Sequence, residues 1–379
     1  MPLLSRQTGP IAVYGATGYT GRLVVAELAK ADADFVVAGR NPKKLENLRA
    51  EFSLEGPARA AELDQPASLR ELLADCAVVI DCAGPFVRFG EPVLAAAVET
   101  GTHYLDTTGE QPYMKMAFER YGPGAARAGV AVVPAMGFDY VPGDMIASLT
   151  ADGMGELDEL SMHYSWHNFK PSQGTARTTV EIIRGGGLEW RNMAWVEDRG
   201  GASRGTYEFP APVGRQRMMR YPAGEQITVP RHIPTRNVRT SINAGDFASD
   251  RLAQLFTALV GPIGVAMRTP LRRAAGAAIS RLPEGPTPEQ REKMQWTIVC
   301  EAVRGEVERK GVISGKDVYG LTAAAITRGA ILASRRGFDA RGGLAPSQAF
   351  DPKSFLTGLE RFDLRWQIFE TRAPTPVGA

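Results

Sequence analysis

The sequence predicts an α/β protein: a doubly wound parallel sheet, followed by a second α+β domain built on a mixed or antiparallel sheet. Three observations lead there. Over residues 1–139, short continuous apolar runs alternate with helix-like segments, the pattern of strands buried on both faces by crossover helices. After Asp144 the pattern changes to an alternation of polar and apolar residues, which marks half-buried strands. The chain of 379 residues is long enough for two domains, each with its own core.

The elements follow in order. Ile11–Tyr14 is an apolar run stopped by Gly15, and Tyr19–Leu28 carries apolar residues at helical spacing. Phe35–Ala38, Ala77–Ala83 and Val130–Ala135 are further apolar runs, separated by helix-like segments at Pro42–Phe52, Ala67–Leu73 and Pro92–Thr100. Right-handed crossovers turn such a series into a doubly wound sheet. In the second domain, residues 140–320, Glu159–His167 alternates as a half-buried strand, and Gly224–Ile233 and Val238–Ala244 read as extended. Trp296–Val303 and Glu306–Ile313 form a hairpin around Arg304-Gly305. The Gly-, Arg- and Pro-rich stretch Gly185–Gly224 reads as loop. Leu321–Arg335 is a helix and opens a C-terminal helical segment, residues 321–379.

Lys plus Arg total 44 and Asp plus Glu 42, a net charge of +2, so no global field favours nucleic acid as a partner. Cys76, Cys82 and Cys300 form neither a CxxC nor a zinc spacing, as expected of a chain in a reducing cytoplasm. The first ten residues lack the apolar core of a signal peptide. The longest apolar stretch, Leu252–Met267, is interrupted by Gly261, Pro262 and Gly264 and is short for a bilayer span. Arg268, Arg272, Arg273 and Arg281 follow it. It reads as a helical pair packed inside the second domain, with weak contact to a membrane surface or an acyl chain as the alternative.

Gly15, Gly18 and Gly21 stand between the first strand and the first helix, with Thr17, Tyr19 and Thr20 among them. Glycines at this spacing allow a tight turn, a close approach of backbone to a diphosphate, and close helix–strand packing. The helix N-terminus then offers its N–H groups to the phosphates. This is a Rossmann phosphate loop. At the end of the second strand an NAD-binding domain usually carries an acid, whereas here the chain reads Ala38-Gly39-Arg40-Asn41 with Lys43 beyond. A guanidinium at Arg40 can grip a 2′-phosphate bidentately, which favours NADPH. A solvated basic face is the alternative, though bases are unfavourable at a helix N-terminus. Asp64, after a third strand, is either an adenine-side contact or a helix cap.

Ligands bind at the carboxyl ends of such strands. Three segments end there: Ala83, Gly84, Pro85 and Phe86 after one strand, Thr108 after another, and Gly137 and Phe138 after the last. These are expected cofactor contacts. Phe86 and Tyr113 are also expected substrate contacts. The stretches YGATGYTGRL, AGRNPKKL, CAGPFVRFGEPVL, THYLDTTGE and GFDYVPGD, with SQGTARTTVE, PEGPTPEQR, DVYGLTAAAI and GLAPSQAFDP further on, resemble the saccharopine dehydrogenase-like oxidoreductases, especially the branch containing actinobacterial trans-acting enoyl reductases. The resemblance implies an NADPH-dependent reductase with an inserted α+β domain and C-terminal helices that pack back on the first domain. The substrate it implies is a small molecule or a carrier-bound acyl chain, and the oligomeric state stays open, a homodimer included.

Hydride transfer needs a proton donor beside the reacting carbon. Tyr113 and Lys115 are two apart rather than four, so the short-chain dehydrogenase set is absent. Asp139 and Tyr140, where the chain leaves the first domain, are the candidate catalytic residues. A capping role for Asp139 and Asp144 at the helix near Val141 is the alternative. Ser172, Gly174, Thr175 and Arg177 form a polar turn that could meet the substrate. His163 and His167 share one strand face but lack a third ligand, so no metal is expected. The function expected is reduction of an activated C=C (enoyl) or C=N bond in secondary metabolism or lipid assembly. A saccharopine-type amino-acid dehydrogenase and a non-catalytic NADP-sensing protein stay as alternatives.

Overall fold

A computed structural model of the chain describes residues 7–185, 187–198, 203–243, 276 and 278–372. Residues 244–275, with the Leu252–Met267 stretch and the arginines at 268, 272 and 273, lie outside the described residues. The chain divides into two compact units. Met1–Val141 and Tyr319–Phe350 form the first, and Pro142–Val318 with the chain from Asp351 onward form the second. Strands and helices are numbered along the chain.

The first unit holds β1 (Ile11–Tyr14), β2 (Phe35–Gly39), β3 (Ala58–Ala60), β4 (Val78–Asp81), β5 (His103–Asp106) and β6 (Ala131–Val133). A two-residue strand, β15 (Gly342–Gly343), completes a seven-stranded sheet of order β15-β6-β5-β4-β1-β2-β3. Every pairing in it is parallel. The order reverses between β1 and β4, which is where such sheets bind their ligand. β1 is wholly buried, so its unbroken apolar run reflects helices on both faces. The helices are α1 (Tyr19–Lys30), α2 (Pro42–Phe52), α3 (Pro66–Leu73), α4 (Phe86–Thr100), α5 (Gln111–Met116), α6 (Gly122–Ala128) and the later α11 (Val318–Ala333). α2 starts where Asn41 accepts the Lys44 amide and Pro42 fits the first turn. α4 ends at Gly101, whose φ of 73° suits a left-handed helix stop.

Two strands are shorter than their apolar runs. β4 stops at Asp81 rather than Ala83 because the Asp81 carboxyl takes the Ala83 amide at 2.9 Å, which turns the chain out of the ladder. β6 stops at Val133 because the Ala135 amide, on a residue with φ 64°, donates to Asp106 instead.

The second unit holds β7 (Glu159–His167), β8 (Gly187–Arg191), β9 (Ala194–Asp198), β10 (Ser203–Phe209), β11 (Gly214–Arg220), β12 (Val238–Asn243), β13 (Gln295–Arg304), β14 (Val307–Lys316) and β16 (Arg365–Arg372). Seven of these form a sheet of order β10-β11-β12-β7-β13-β14-β16, and β8 and β9 form a separate hairpin. The sheet is mixed: β12 and β7 run parallel and the other pairs are antiparallel. Its helices include α7 (Val141–Ala151), which starts at the end of the first unit, α8 (Gln173–Gly185), α9 (Glu225–Thr228) and α10 (Pro288–Glu292). The β13–β14 hairpin turns at Gly305, with φ 56°.

Three expectations change here. Gly185–Gly224 is not loop: it supplies both β8–β9 and β10–β11. The alternation was masked by arginines on the half-exposed faces, while Phe209 and Met218 turn inward onto Val299. Gly224–Ile233 is not extended. It forms α9 and a 3-10 turn at Val229–Arg231; α9 is buried all round, and periodicity cannot separate a short buried helix from a buried strand. The C-terminal segment is also not uniformly helical, nor all in one unit. From Asp351 it joins the second unit, where β16 pairs with β14 from Val307↔Arg372 to Ser314↔Arg365, covering what would be an open edge of β14. Among the described residues no helix is long and apolar enough to cross a membrane.

Helix α7 lies close on β14. A Cβ at Gly311 would overlap Thr150 Oγ1 and stand 2.9 Å from Ile146 Cγ1. Gly311→Ala should therefore lower the stability of the second unit by about 1–3 kcal/mol, read as a lower urea midpoint with an unchanged slope. An unchanged midpoint would refute this packing.

Candidate nucleotide-binding site

The loop between β1 and α1 is held from beneath by two bonds, Gly15 N and Ala16 N donating to Ala38 O at 3.0 and 3.2 Å. Gly15 has φ +79°, and a Cβ there would stand 3.0 Å from Ala83 N and from Cys82 C. A Cβ at Gly21 would overlap the Gly15 carbonyl oxygen and stand 2.8 Å from Ala16 Cα. Those two glycines serve packing. Gly18 differs: it is exposed, and a Cβ would meet nothing nearer than Gly15 O at 3.4 Å. Gly18 is also the N-cap of α1, supplies no side-chain cap bond, and precedes a first turn without an acid. The first-turn N–H groups of Tyr19, Thr20 and Gly21 cannot bond within their own helix. The loop therefore has the shape and polarity of an anion cradle, and its residues fit a dinucleotide diphosphate.

Arg40 is exposed directly after β2, with its guanidinium 5.9 Å from the Phe89 ring centroid. Arg88 lies 5.1 Å from the same centroid. Lys43 is exposed in the first turn of α2. Asp64 is exposed and is not a cap, since Gln65 occupies the N-cap of α3 without a side-chain bond. Tyr19 packs edge-on to Tyr319 at 5.3 Å.

Three buried acids shape the loops after β4, β5 and β6. Asp81 takes Ala83 N. Asp106 takes Thr108 N at 2.8 Å and Ala135 N at 2.9 Å. Glu110 takes Phe86 N at 3.0 Å and Val87 N at 2.7 Å, so it caps α4 from another loop. Burial pushes Asp81 up to about 8 and Asp106 up to about 7, although the amide bonds oppose it. Thr108 is buried and accepts Glu110 N. Gly137 lies against Thr322, and Phe138 N donates to Thr322 Oγ1 at 2.9 Å.

Of the expected catalytic pair, Tyr140 is fully buried and donates its hydroxyl to Gly109 O at 3.0 Å, tying the start of α7 to the loop after β5. Burial raises Asp139 to about 6. Phe86 and Tyr113 meet at 5.6 Å between ring centroids, but Tyr113 is a core residue: it is buried, abuts Gly90 and bonds the Tyr104 hydroxyl at 2.7 Å. The expectation of a substrate contact at Tyr113 fails for that reason.

In the second unit, Ser172 is buried and takes the Thr175 amide at 3.1 Å, capping the first turn of α8. Gly174 sits in that turn, and Arg177 bonds Gln173 and Ser280. His163 is engaged by Ser241 at 2.8 Å and Glu301 at 3.5 Å. Among the described residues no cluster of three or more His, Cys, Asp or Glu side chains is placed for a metal. Two largely enclosed pairs escaped the sequence reading. Asp144, in the first turn of α7, bonds His232 at 2.9 Å, and Tyr164 donates to Glu225 where a Cβ at Gly143 would overlap both. The glycine beside Asp144 was the available signal. Asp81, Glu110, Phe89 and Thr322 were also missed; Asp81 ends a strand inside an apolar run, and the others act across loops distant in sequence.

The sheet order, the glycine cradle and the cation after β2 define the first unit as a Rossmann dinucleotide-binding domain. More particularly, residues 11–133 match the family described as saccharopine dehydrogenase NADP binding domain, so this unit is an NADP-binding domain of that type. The chain is 35% identical over 185 residues to a trans-acting enoyl reductase of Mycobacterium ulcerans, covering 46% of this chain and 44% of that protein. It is 33% identical over 161 residues to a saccharopine dehydrogenase-like oxidoreductase of Bos taurus, covering 38% of each. The match thus spans less than half the length of these relatives. Among solved structures, the apo saccharopine dehydrogenase (L-Glu forming) of Saccharomyces cerevisiae aligns with a TM-score of 0.61 and 14% identity over 96% of this chain and 100% of that one. At that identity the likeness is one of fold.

Two outcomes test this geometry. Gly18→Ala should leave the melting temperature unchanged yet weaken NADP+ binding, because its methyl enters only the ligand's side. Gly21→Ala should lower both. Isothermal calorimetry beside thermal melts separates the two, and equal effects would contradict the assignment. The second concerns pH. The folded chain holds protons on Asp81 and Asp106 that the unfolded chain releases near the ordinary carboxylate value of 3.8. Their stabilisation is complete below that value and is lost as pH rises through about 7 and about 8. The urea midpoint should fall from about pH 4 to about pH 8 and level off above that, and Asp81→Asn should flatten the fall.

Proposed function

We propose that this chain is an NADPH-dependent reductase of an activated double bond, an enoyl C=C or a C=N, on a small-molecule or carrier-bound acyl substrate. The observation that carries it is the pairing of an acid-free anion cradle at Gly15–Gly21 with Arg40 after β2. A carboxylate at that position would repel a 2′-phosphate, whereas a guanidinium favours it. The names of the mycobacterial relatives support the enoyl choice.

NADPH held by the Gly15–Gly21 loop and Arg40 would supply a hydride to the electron-poor carbon, and the neighbouring atom would then need a proton. Asp139 is our proposed donor. With its carboxyl raised to about 6 by burial, it holds a proton closer to neutrality than an ordinary aspartic acid, as a general acid requires. Tyr140, whose hydroxyl is used by Gly109, orients the segment that carries Asp139. Ala83, Gly84, Pro85, Phe86, Thr108, Gly137 and Phe138 are proposed for the nicotinamide side, and Thr17, Tyr19, Thr20, Lys43 and Asp64 for the phosphate and adenosine side. In the second unit, Ser172 sets the first turn of α8, where Gly174, Thr175 and Arg177 are the proposed substrate groups. The three free thiols, Cys76, Cys82 and Cys300, fit a reducing cytoplasm.

The test is NADPH oxidation with a panel of enoyl thioesters and imines. Turnover of an enoyl thioester supports the proposal, while turnover only of an amino acid with a keto acid points to a saccharopine-type dehydrogenase. Tight NADPH binding with no turnover points to a sensor. Arg40→Ala should weaken NADPH binding about tenfold to hundredfold, as expected for lost charge-assisted bonds, and leave NADH binding unchanged. An equal loss for both nucleotides would overturn the assignment of Arg40.

A further inference from the structure

Beneath the loop that follows β4 runs a connected line of buried polar groups that the proposed chemistry does not use. The Asp81 carboxyl takes Ala83 N at 2.9 Å through Oδ1 and the Tyr104 hydroxyl at 3.3 Å through Oδ2. The Tyr104 and Tyr113 hydroxyls are 2.7 Å apart. Asp81 and Tyr104 are fully buried and Tyr113 is 2% exposed. Apolar side chains would fill this space at less cost, because each buried carboxyl or hydroxyl must be compensated by a bond. What the line secures is the place of Ala83, the backbone atom group against which Gly15 packs: a Cβ on Gly15 would reach Ala83 N at 3.0 Å.

We propose that Asp81, braced by Tyr104 and Tyr113, is a positioning residue for the NADP cofactor, fixing the 82–86 loop at the height the phosphate loop requires. It touches no cofactor atom itself and acts through the Ala83 amide. The proposal rests on the cofactor reading above, not on the reductase reading. The groups facing Asp81 are Tyr14 from β1, Cys82 on its own loop, and Tyr104 and Asp106 from β5, with Tyr113 from α5 behind Tyr104. None is a cation, so the carboxyl is not there to form an ion pair. Burial raises its proton affinity, and a protonated Asp81 keeps one oxygen for the amide while its hydroxyl meets Tyr104. An asparagine can make the same two contacts; a leucine of similar size can make neither.

The experiment measures NADP+ dissociation constants by calorimetry together with melting temperatures. Variants are Asp81→Leu, Asp81→Asn and Tyr104→Phe in the full chain. Asp81→Leu should weaken NADP+ binding tenfold or more by order of magnitude, and Asp81→Asn should recover most of that loss. Tyr104→Phe removes the hydroxyl and keeps the ring, and should weaken binding severalfold with a small change in melting temperature. Should Asp81→Leu fail to fold, Tyr104→Phe and Asp81→Asn decide the matter. Wild-type affinity in Tyr104→Phe, or an asparagine no better than leucine, overturns the proposal. Absence of NADP+ binding by the wild-type chain would instead overturn the cofactor reading on which it rests.

Discussion

The contact on which the first unit depends is the one between α1 and the loop that precedes it. Gly21 lies so near the Gly15 carbonyl that no side chain fits. That closeness brings the helix start over the end of β1, where the N–H groups of the first turn have no acceptor within their own helix. The neighbouring strand ends are fitted to the same point, since Gly15 also leaves no room toward Ala83. The sheet order is general to many proteins; what specialises this one is how little space remains around Gly15.

The two units hold their acids in opposite ways. In the first, Asp81 and Asp106 have amides and hydroxyls for partners, and burial dominates, so their protons are held near neutrality. In the second, burial also pushes Glu301 up, but His163, Lys310 and Tyr207 bond it and bring it down to about 2. Glu301 therefore stays charged over the working range. Tyr207 donates its hydroxyl to Glu301 and stacks on His163 with ring centroids 3.9 Å apart, so β10 is fastened to β7 and β13. The first arrangement fixes backbone loops and the second fixes a sheet.

The parts of this architecture that could be read from the sequence are those where one local pattern encodes one physical need. β1 and β7 appear with the same ends as their apolar run and their alternation. The glycine spacing was legible because Gly15 and Gly21 answer steric demands of the turn. Elements whose form depends on distant partners were not legible. α9 looks extended until its burial on all sides is known. β10 and β11 look like loop until Val299 receives Phe209 and Met218. At the site, Arg40 stands out because an acid is usual there, whereas Asp81 is hidden in Val-Val-Ile-Asp-Cys-Ala, where nothing local reveals a partner at Tyr104. Tyr113 misled for the converse reason: a polar residue just after a strand end resembles a ligand group, yet its hydroxyl is spent inside the core.

The chain passes from one unit to the other at Val141, returns at Tyr319, and leaves again after Phe350. Neither unit is one continuous stretch. During synthesis on the ribosome, the first unit is incomplete until residue 350 has emerged, and the mixed sheet lacks β16 until residue 372. A premature stop between the β13–β14 hairpin and Phe350 would leave both units unfinished, and a later one would leave only the second so. The segment from Tyr319 onward thus supplies parts of both units, and no single cut divides the chain into the two.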